Sequence, residues 1–178
     1  TLTDGALRML VVLYFHQLGY SPLDIALLFL FYELFGVVTN LLGGWIAARV
    51  GLAATLIAGL LLQVAALAML LVDEKFLTVA YVMVAQAISG IAKDLNKLSA
   101  KSSVKLMAGQ SQGRLYRWVA WLTGSKNALK GMGFFAGSAS LALVGFGTSI
   151  ALMALALLGV AVAAVALLDR DMGRASFK

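Results

Sequence analysis

Ionisable side chains that fall inside apolar stretches are the residues of this chain that could do chemistry. Eight of them lie within long hydrophobic runs: Asp4, Arg8, Glu33, Lys93, Asp94, Lys97, Lys126 and Lys130. A charged group at membrane depth is costly unless it is paired or hydrated, so each is a candidate functional group. Basic residues outnumber acidic ones in this set, which favours a site for an anion.

The composition excludes the common classes of soluble enzyme. The 178 residues are 62% hydrophobic and only 12% charged, and the mean hydropathy is +0.95. A soluble domain carries roughly a quarter charged residues. The chain has no cysteine and only one histidine (His16), so thiol chemistry and a histidine-rich metal centre are excluded. Basic residues are scattered between apolar runs, which argues against a nucleic-acid partner. We therefore expect the chain to lie in a lipid bilayer and to bind no cofactor or metal.

The apolar segments predict an all-α membrane protein. A spanning helix needs about 20 mostly apolar residues, and six segments meet this length: Thr1–Leu18, Leu23–Ala48, Leu52–Val72, Phe76–Lys97, Leu115–Val144 and Thr148–Leu168. We expect residues 1–168 to form one six-helix transmembrane bundle and residues 169–178 to begin a cytoplasmic linker. The first segment carries charge in its first turns and does not start with methionine, so its helix is expected to be truncated.

Loop charges predict the orientation in the membrane. Lys and Arg are concentrated in the connections on one side, at Arg49, Lys101, Lys105, Arg114, Arg117, Arg170, Arg174 and Lys178. Cytoplasmic loops carry such an excess of basic residues. The sequence therefore predicts a multi-pass protein of the inner (plasma) membrane with both chain ends in the cytoplasm.

Helical periodicity places two lysines of the fifth segment inside the bundle. At 100° per residue, Lys126, Lys130, Gly133 and Gly137 lie within about 60° of one another. Glycines four residues apart are typical of a helix face that packs closely on another helix. The lysines should therefore point inward, at a depth of about 16 Å for Lys126. On the second segment, Glu33, Gly36, Asn40 and Gly44 are expected to share one face.

These positions predict an anion-binding site. Its core would be Arg8, Lys126 and Lys130, with the neighbouring Asn127, while Lys93 and Lys97 would serve as entry residues. Several alternatives stay open from sequence alone. Lys126 and Lys130 could instead pair with Glu33 or Asp94 of another helix, and Lys93 and Lys97 could lie at the membrane interface.

Three acidic residues are candidates for ion pairing or proton coupling. Asp4 lies four residues before Arg8, so the two can neutralise each other on one helix face. Asp94 is available as a partner for Lys93 or Lys97 on its own helix. Glu33 has no partner near it in sequence and lies close to the membrane midplane. We therefore predict Glu33 as the protonation site if transport is coupled to protons.

The pattern resembles a known superfamily of transporters. Six helices with both ends inside, and polar residues on the first, second, fourth and fifth, resemble the N-terminal half of a major facilitator superfamily transporter. The segment Gly44–Gly51 is similar to the superfamily's loop signature, although Ala48 replaces its Asp. Within that superfamily, the strings Thr1–Val11, Ile91–Ser103 and Thr123–Gly131 resemble the ArsJ-type organoarsenical efflux permeases.

This resemblance implies a specific activity. Such permeases export 1-arseno-3-phosphoglycerate, which a glyceraldehyde-3-phosphate dehydrogenase forms from arsenate in the cytoplasm. It also implies peripheral third and sixth helices and a second, C-terminal six-helix half. A transporter of another phosphorylated or organic anion is the first alternative. A membrane enzyme acting on an anionic lipid is the second, but the chain lacks a catalytic constellation, and we expect it not to be an enzyme.

Overall fold

The described part of the chain is helical throughout. The computed structural model describes residues 1–108 and 112–168, and within them it has no strand. The α-helices are α1 (Leu2–Gln17), α2 (Pro22–Leu28), α3 (Leu30–Val50), α4 (Leu52–Met69), α5 (Val79–Ala108), α6 (Gln112–Val144) and α7 (Phe146–Leu167). A single 3-10 turn, Glu74–Phe76, precedes α5. The predicted all-α class is confirmed.

Local sequence signals explain where the second predicted segment begins. The Ser21 hydroxyl accepts a hydrogen bond from the backbone N–H of Asp24 at 3.2 Å, and the Asp24 carboxylate accepts one from the backbone N–H of Ser21 at 3.3 Å. This reciprocal cap satisfies two donors that a helix start leaves open, and Pro22 fits the first turn. Phe29 separates α2 from α3, which together cover the predicted segment.

Within the described residues, three helices are long and apolar enough to cross a membrane. They are Pro22–Val50, taking α2 and α3 together, Leu52–Met69 and Phe146–Leu167. The chain thus has the helices of a membrane protein, whereas the six-span bundle stays a prediction. Helices α5 and α6 are also longer than predicted: α5 continues past Lys97 to Ala108, because no glycine or proline interrupts that stretch. The predicted linker, residues 169–178, lies outside the described residues.

Close helix contacts occur where glycines remove the side chain. Helix α1 packs against α6, and α5 packs against both α3 and α4. A Cβ atom added at Gly137 would lie 2.5 Å from the backbone oxygen of Ala6, and Gly133 meets the backbone of Leu2. The predicted packing role of the α6 glycines is confirmed, and their partner is α1.

The buried face of α3 is rotated from the face that Glu33, Gly36, Asn40 and Gly44 were expected to share. The buried residues of α3 are Tyr32, Gly36, Thr39, Gly43 and Ala47, so only Gly36 is shared with the predicted face. The physical reason is the contact with α5: Gly36 packs against the Asp94 side chain and Gly43 against Leu98. Consequently the other three predicted residues, Glu33, Asn40 and Gly44, stay exposed.

One half of the bundle is closed by an apolar core. Its buried residues are Leu7, Leu10, Val11, Phe15, Leu28, Leu67, Leu70, Leu77, Val82, Ala85, Phe146 and Ile150. The Tyr14 and Phe146 rings stack with centroids 4.0 Å apart, and the Tyr14 hydroxyl donates to the Glu74 carboxylate at 2.6 Å. We call this region, at the C-terminal end of α1 and the starts of α5 and α7, the closed half.

Candidate functional site

The other half of the bundle contains a cavity of about 540 Å³, and we call it the cavity half. Five helices supply its polar lining. The lining residues are Thr1, Thr3, Asp4, Arg8, Glu33, Leu56, Leu60, Gln63, Lys93, Asn96, Lys97, Ala100, Lys101, Leu122, Thr123, Lys126, Lys130 and Leu157.

The cavity carries a strong excess of positive charge. Six basic side chains line it among the described residues, namely Arg8, Lys93, Lys97, Lys101, Lys126 and Lys130, against only two acidic ones, Asp4 and Glu33. A cleft lined by one sign of charge and bounded by apolar walls concentrates ions of the opposite sign. The structure therefore brings all five predicted basic site residues to one cavity that suits an anion.

Arg8 forms an ion pair across helices and not within its own. Its Nη2 atom lies 2.6 Å from Oε1 of Glu33 on α3, and its guanidinium lies 5.3 Å and 5.2 Å from the ring centroids of Phe29 and Tyr32. We expected Asp4 as the partner. Asp4 accepts instead a hydrogen bond from the Tyr32 hydroxyl. Both new partners lie near the start of α3, a contact that sequence spacing does not show.

Glu33 lies between two cations. Besides Arg8, the Nζ atom of Lys93 on α5 is 3.9 Å from Glu33 Oε2. Glu33 has no ionic partner near it in sequence, but it has two in the folded chain. The Glu33 side chain is 60% exposed and lines the cavity.

Asp94 pairs with Lys97, which is one of its two expected partners. The Lys97 Nζ atom lies 3.2 Å from Asp94 Oδ1, and the Asp94 side chain is only 2% exposed. Lys93 does not use this carboxylate. Its Nζ atom lies over the Tyr32 ring at 4.1 Å, close to Glu33. Both lysines line the cavity, as their predicted role as entry residues requires.

Lys126 and Lys130 line the cavity, and neither forms an ion pair with a carboxylate of a described residue. Four other lysines, Lys93, Lys97, Lys101 and Lys130, are close enough to Lys126 to act on it electrostatically. Among the described residues, these lysines form no ion pair with Glu33 or Asp94, which was the alternative interpretation. Asn127 is exposed and is not part of the lining, so the structure does not bring it to this site.

Sequence reasoning missed several lining residues. Gln63 of α4 lines the cavity, and its amide exchanges hydrogen bonds with the Ser89 hydroxyl at 2.9 and 3.1 Å. Helix α4 was expected to be peripheral, yet it contributes Gln63 and two leucines because it packs along α5. The sequence signal that could have identified Gln63 was its position as a single glutamine in an apolar run. Lys101, expected at the membrane edge, also lines the cavity, whereas α7 contributes only Leu157.

Comparisons with known proteins identify no family for this chain, so the functional assignment rests on the geometry of the cavity. No protein-family model matches this chain, and no curated protein matches it significantly. Within the described residues no cluster of three metal-ligating side chains of the His, Cys, Asp or Glu type occurs. The described part of the chain is thus all helical, with three helices long and apolar enough to cross a membrane, and eight of its charged side chains line one cavity.

Proposed function

We propose that this chain is the N-terminal six-helix half of a secondary transporter that exports an organic anion. The observation that carries the proposal is the basic cavity, in which Lys126 and Lys130 have no carboxylate partner among the described residues. A partly desolvated cation without a counter-ion is costly at membrane depth. A bound anion would remove that cost.

The class of transporter follows from the resemblance to the major facilitator superfamily. In a transporter of two halves, substrate binds near the midplane and access alternates between the two sides. The cavity half would face the cytoplasm, and the closed half would face the outside of the plasma membrane. The second six-helix half is the partner that completes the pathway.

The substrate we propose is 1-arseno-3-phosphoglycerate, which would make this an arsenic-resistance efflux permease. The support is the resemblance of three sequence strings to organoarsenical efflux permeases. The charge of the cavity is complementary to this substrate, because an arseno-phospho-glycerate carries several negative charges and the lining is mostly basic. A glyceraldehyde-3-phosphate dehydrogenase would supply it in the cytoplasm. Under this proposal the chain is not an enzyme and needs no cofactor.

Transport into everted membrane vesicles tests this function. The vesicles contain the full-length gene product that includes this chain. Outside them, glyceraldehyde-3-phosphate dehydrogenase generates the ester from glyceraldehyde 3-phosphate and arsenate, with NAD⁺ as the oxidant. We expect the ester to accumulate faster than inorganic phosphate or 3-phosphoglycerate. Preferential uptake of one of the other anions would keep an anion transporter but change its substrate. Uptake of none of them would overturn the transport proposal.

A further inference from the structure

Tyr32 of α3 is a buried neutral residue that contacts charged residues of the cavity lining. It is only 2% exposed. The Arg8 guanidinium lies 5.2 Å and the Lys93 Nζ atom 4.1 Å from the centroid of its ring, and cations at such distances are attracted by the face of an aromatic ring. The Tyr32 hydroxyl donates to the Asp4 carboxylate. One side chain thus contacts two cations and one anion, which α1 and α5 contribute.

The position of Tyr32 is fixed by its packing. Gly90 of α5 has no side chain and lies directly against the Tyr32 backbone. The Phe29 ring meets the Tyr32 ring edge to face, with the ring centroids 6.3 Å apart. Tyr32 therefore has little room to move, and its hydroxyl stays directed toward Asp4 of α1.

Asp4 and Arg8 lie one helical turn apart and yet do not pair with each other. Opposite charges at this spacing are neighbours on a helix surface and normally attract. Here the Asp4 carboxylate accepts from Tyr32, while Arg8 Nη2 lies 2.6 Å from Oε1 of Glu33. The buried Arg8 Nε atom has no hydrogen-bond partner among the described residues. Arg8 thus keeps a donor that Asp4 would take if the Tyr32 hydroxyl did not occupy it.

From this arrangement, and resting on the proposed function, we propose that Tyr32 is a positioning residue of the anion site. Its hydroxyl holds Asp4 away from Arg8, which leaves the guanidinium charge available to an anion in the cavity. Without the hydroxyl, Asp4 pairs with Arg8, and Arg8 then carries two carboxylates, those of Asp4 and Glu33. An anion is bound less tightly in that state, because the local excess of positive charge is lost.

A double-mutant cycle between the hydroxyl and the carboxylate tests the proposal. The probe is 3-phosphoglycerate, and its binding to the full-length protein in lipid nanodiscs is measured by isothermal titration calorimetry. We expect Tyr32→Phe, which removes no charge and keeps the ring, to weaken binding about threefold to tenfold, equivalent to ~0.6–1.4 kcal/mol. In the Asp4→Asn background the same substitution should change binding less than about twofold, because no carboxylate is left there to pair with Arg8.

Tyr14→Phe is the matched control. It also removes a hydroxyl that donates to a carboxylate, that of Glu74, but in the closed half, so it should leave binding of 3-phosphoglycerate unchanged. Loss of folded protein lowers the fitted stoichiometry and not the affinity, so rescue of the affinity by Asp4→Asn is a readout that a merely structural role does not move. The Asp4→Asn/Tyr32→Phe variant also serves if Tyr32→Phe alone fails to fold, since it should bind the probe as Asp4→Asn does.

The outcomes separate this inference from the proposed function. Unchanged affinity in Tyr32→Phe, or equal weakening by that substitution with and without the Asp4 carboxylate, would overturn the positioning role while leaving an anion site. Absence of 3-phosphoglycerate binding in the unmodified protein would overturn the proposed function, and this inference with it.

Discussion

The closed half and the cavity half of this bundle differ in the partners that their polar side chains have among the described residues. In the closed half, the tyrosine hydroxyls donate to acceptors supplied by the protein: Tyr14 to Glu74, Tyr20 to the Leu77 carbonyl and Tyr81 to the Met69 carbonyl. In the cavity half, Lys126 lacks a counter-ion among the described residues, and buried atoms of Arg8 and Asn96 lack hydrogen-bond partners there.

This contrast separates a structural region from a functional one. Buried polar groups are nearly always hydrogen-bonded in native proteins, and an exception calls for an explanation. In the closed half each of these three tyrosine hydroxyls has a partner on another segment, although the buried Gln86 side-chain nitrogen, next to the core residue Ala85, has none among the described residues. The unsatisfied groups of the cavity half are explained if a ligand completes them.

The prediction with the largest expected effect tests which side of the membrane each half faces. We expect cysteines introduced at Ser111 and Thr148 to react with impermeant thiol reagents from opposite sides, with labelling essentially all or none. Thr148 lies in the closed half, at the start of α7, whereas Ser111 lies outside the described residues. The cysteine-free chain gives no background labelling. Labelling of both positions from one side would contradict the six-span bundle.

Neutralising the central lysine should have the next largest effect. We expect Lys126→Gln to lower anion transport at least about tenfold, equivalent to ~1.4 kcal/mol, with insertion and expression near normal. Lys126→Arg should keep part of the activity, because the charge is retained and only the ammonium geometry is lost.

The matched control for Lys126 is Lys105→Gln, an exposed residue outside the cavity lining, and it should transport almost normally. Two results in the vesicle assay would count against the assignment. One is transport by Lys126→Gln equal to that of the control. The other is its rescue by neutralising Glu33 or Asp94, which would indicate a structural ion pair.

The α1–α6 contact, which positions the cavity lysines, should be sensitive to a single methyl group. Gly137→Ala places a Cβ atom 2.5 Å from the Ala6 backbone oxygen, so we expect a destabilisation of roughly 1–3 kcal/mol in unfolding measurements. Gly131→Ala on the same helix meets no atom within 4 Å. This control should be neutral or stabilise by up to about 1 kcal/mol. Equal effects of the two substitutions would show that α6 does not pack on α1 as described.

The smallest effect should come from the closed half. Tyr14→Phe removes the 2.6 Å hydrogen bond to Glu74 but leaves the ring stacked on Phe146, so we expect a loss of roughly 1 kcal/mol in thermal unfolding. Anion binding should be unchanged. Tyr116→Phe, at a residue that is 77% exposed, serves as the comparison. A change in anion affinity on removing the Tyr14 hydroxyl would show that the two halves are not separate in function.

The sequence by itself determined the helical class, the start of α2 at Ser21 and Pro22, and the glycine face of α6. These features depend on local chemistry: apolar length, a capping residue and a four-residue spacing. It also identified five of the six basic residues of the cavity among the described residues, because a charge in an apolar run is conspicuous without any knowledge of its neighbours.

Only the tertiary structure decided which charges meet. Asp4 and Arg8 are four residues apart on one helix, yet Arg8 pairs with Glu33 and Asp4 with Tyr32, both of α3. The buried face of α3 lies beside the face of Glu33, Asn40 and Gly44, because the contact with α5 buries Gly36 and Gly43. Gln63 entered the cavity for the same reason, since the packing of α4 along α5 brings it there. Ion pairs and cavity linings join residues that are distant in sequence, so they depend on how helices rotate and pack against one another.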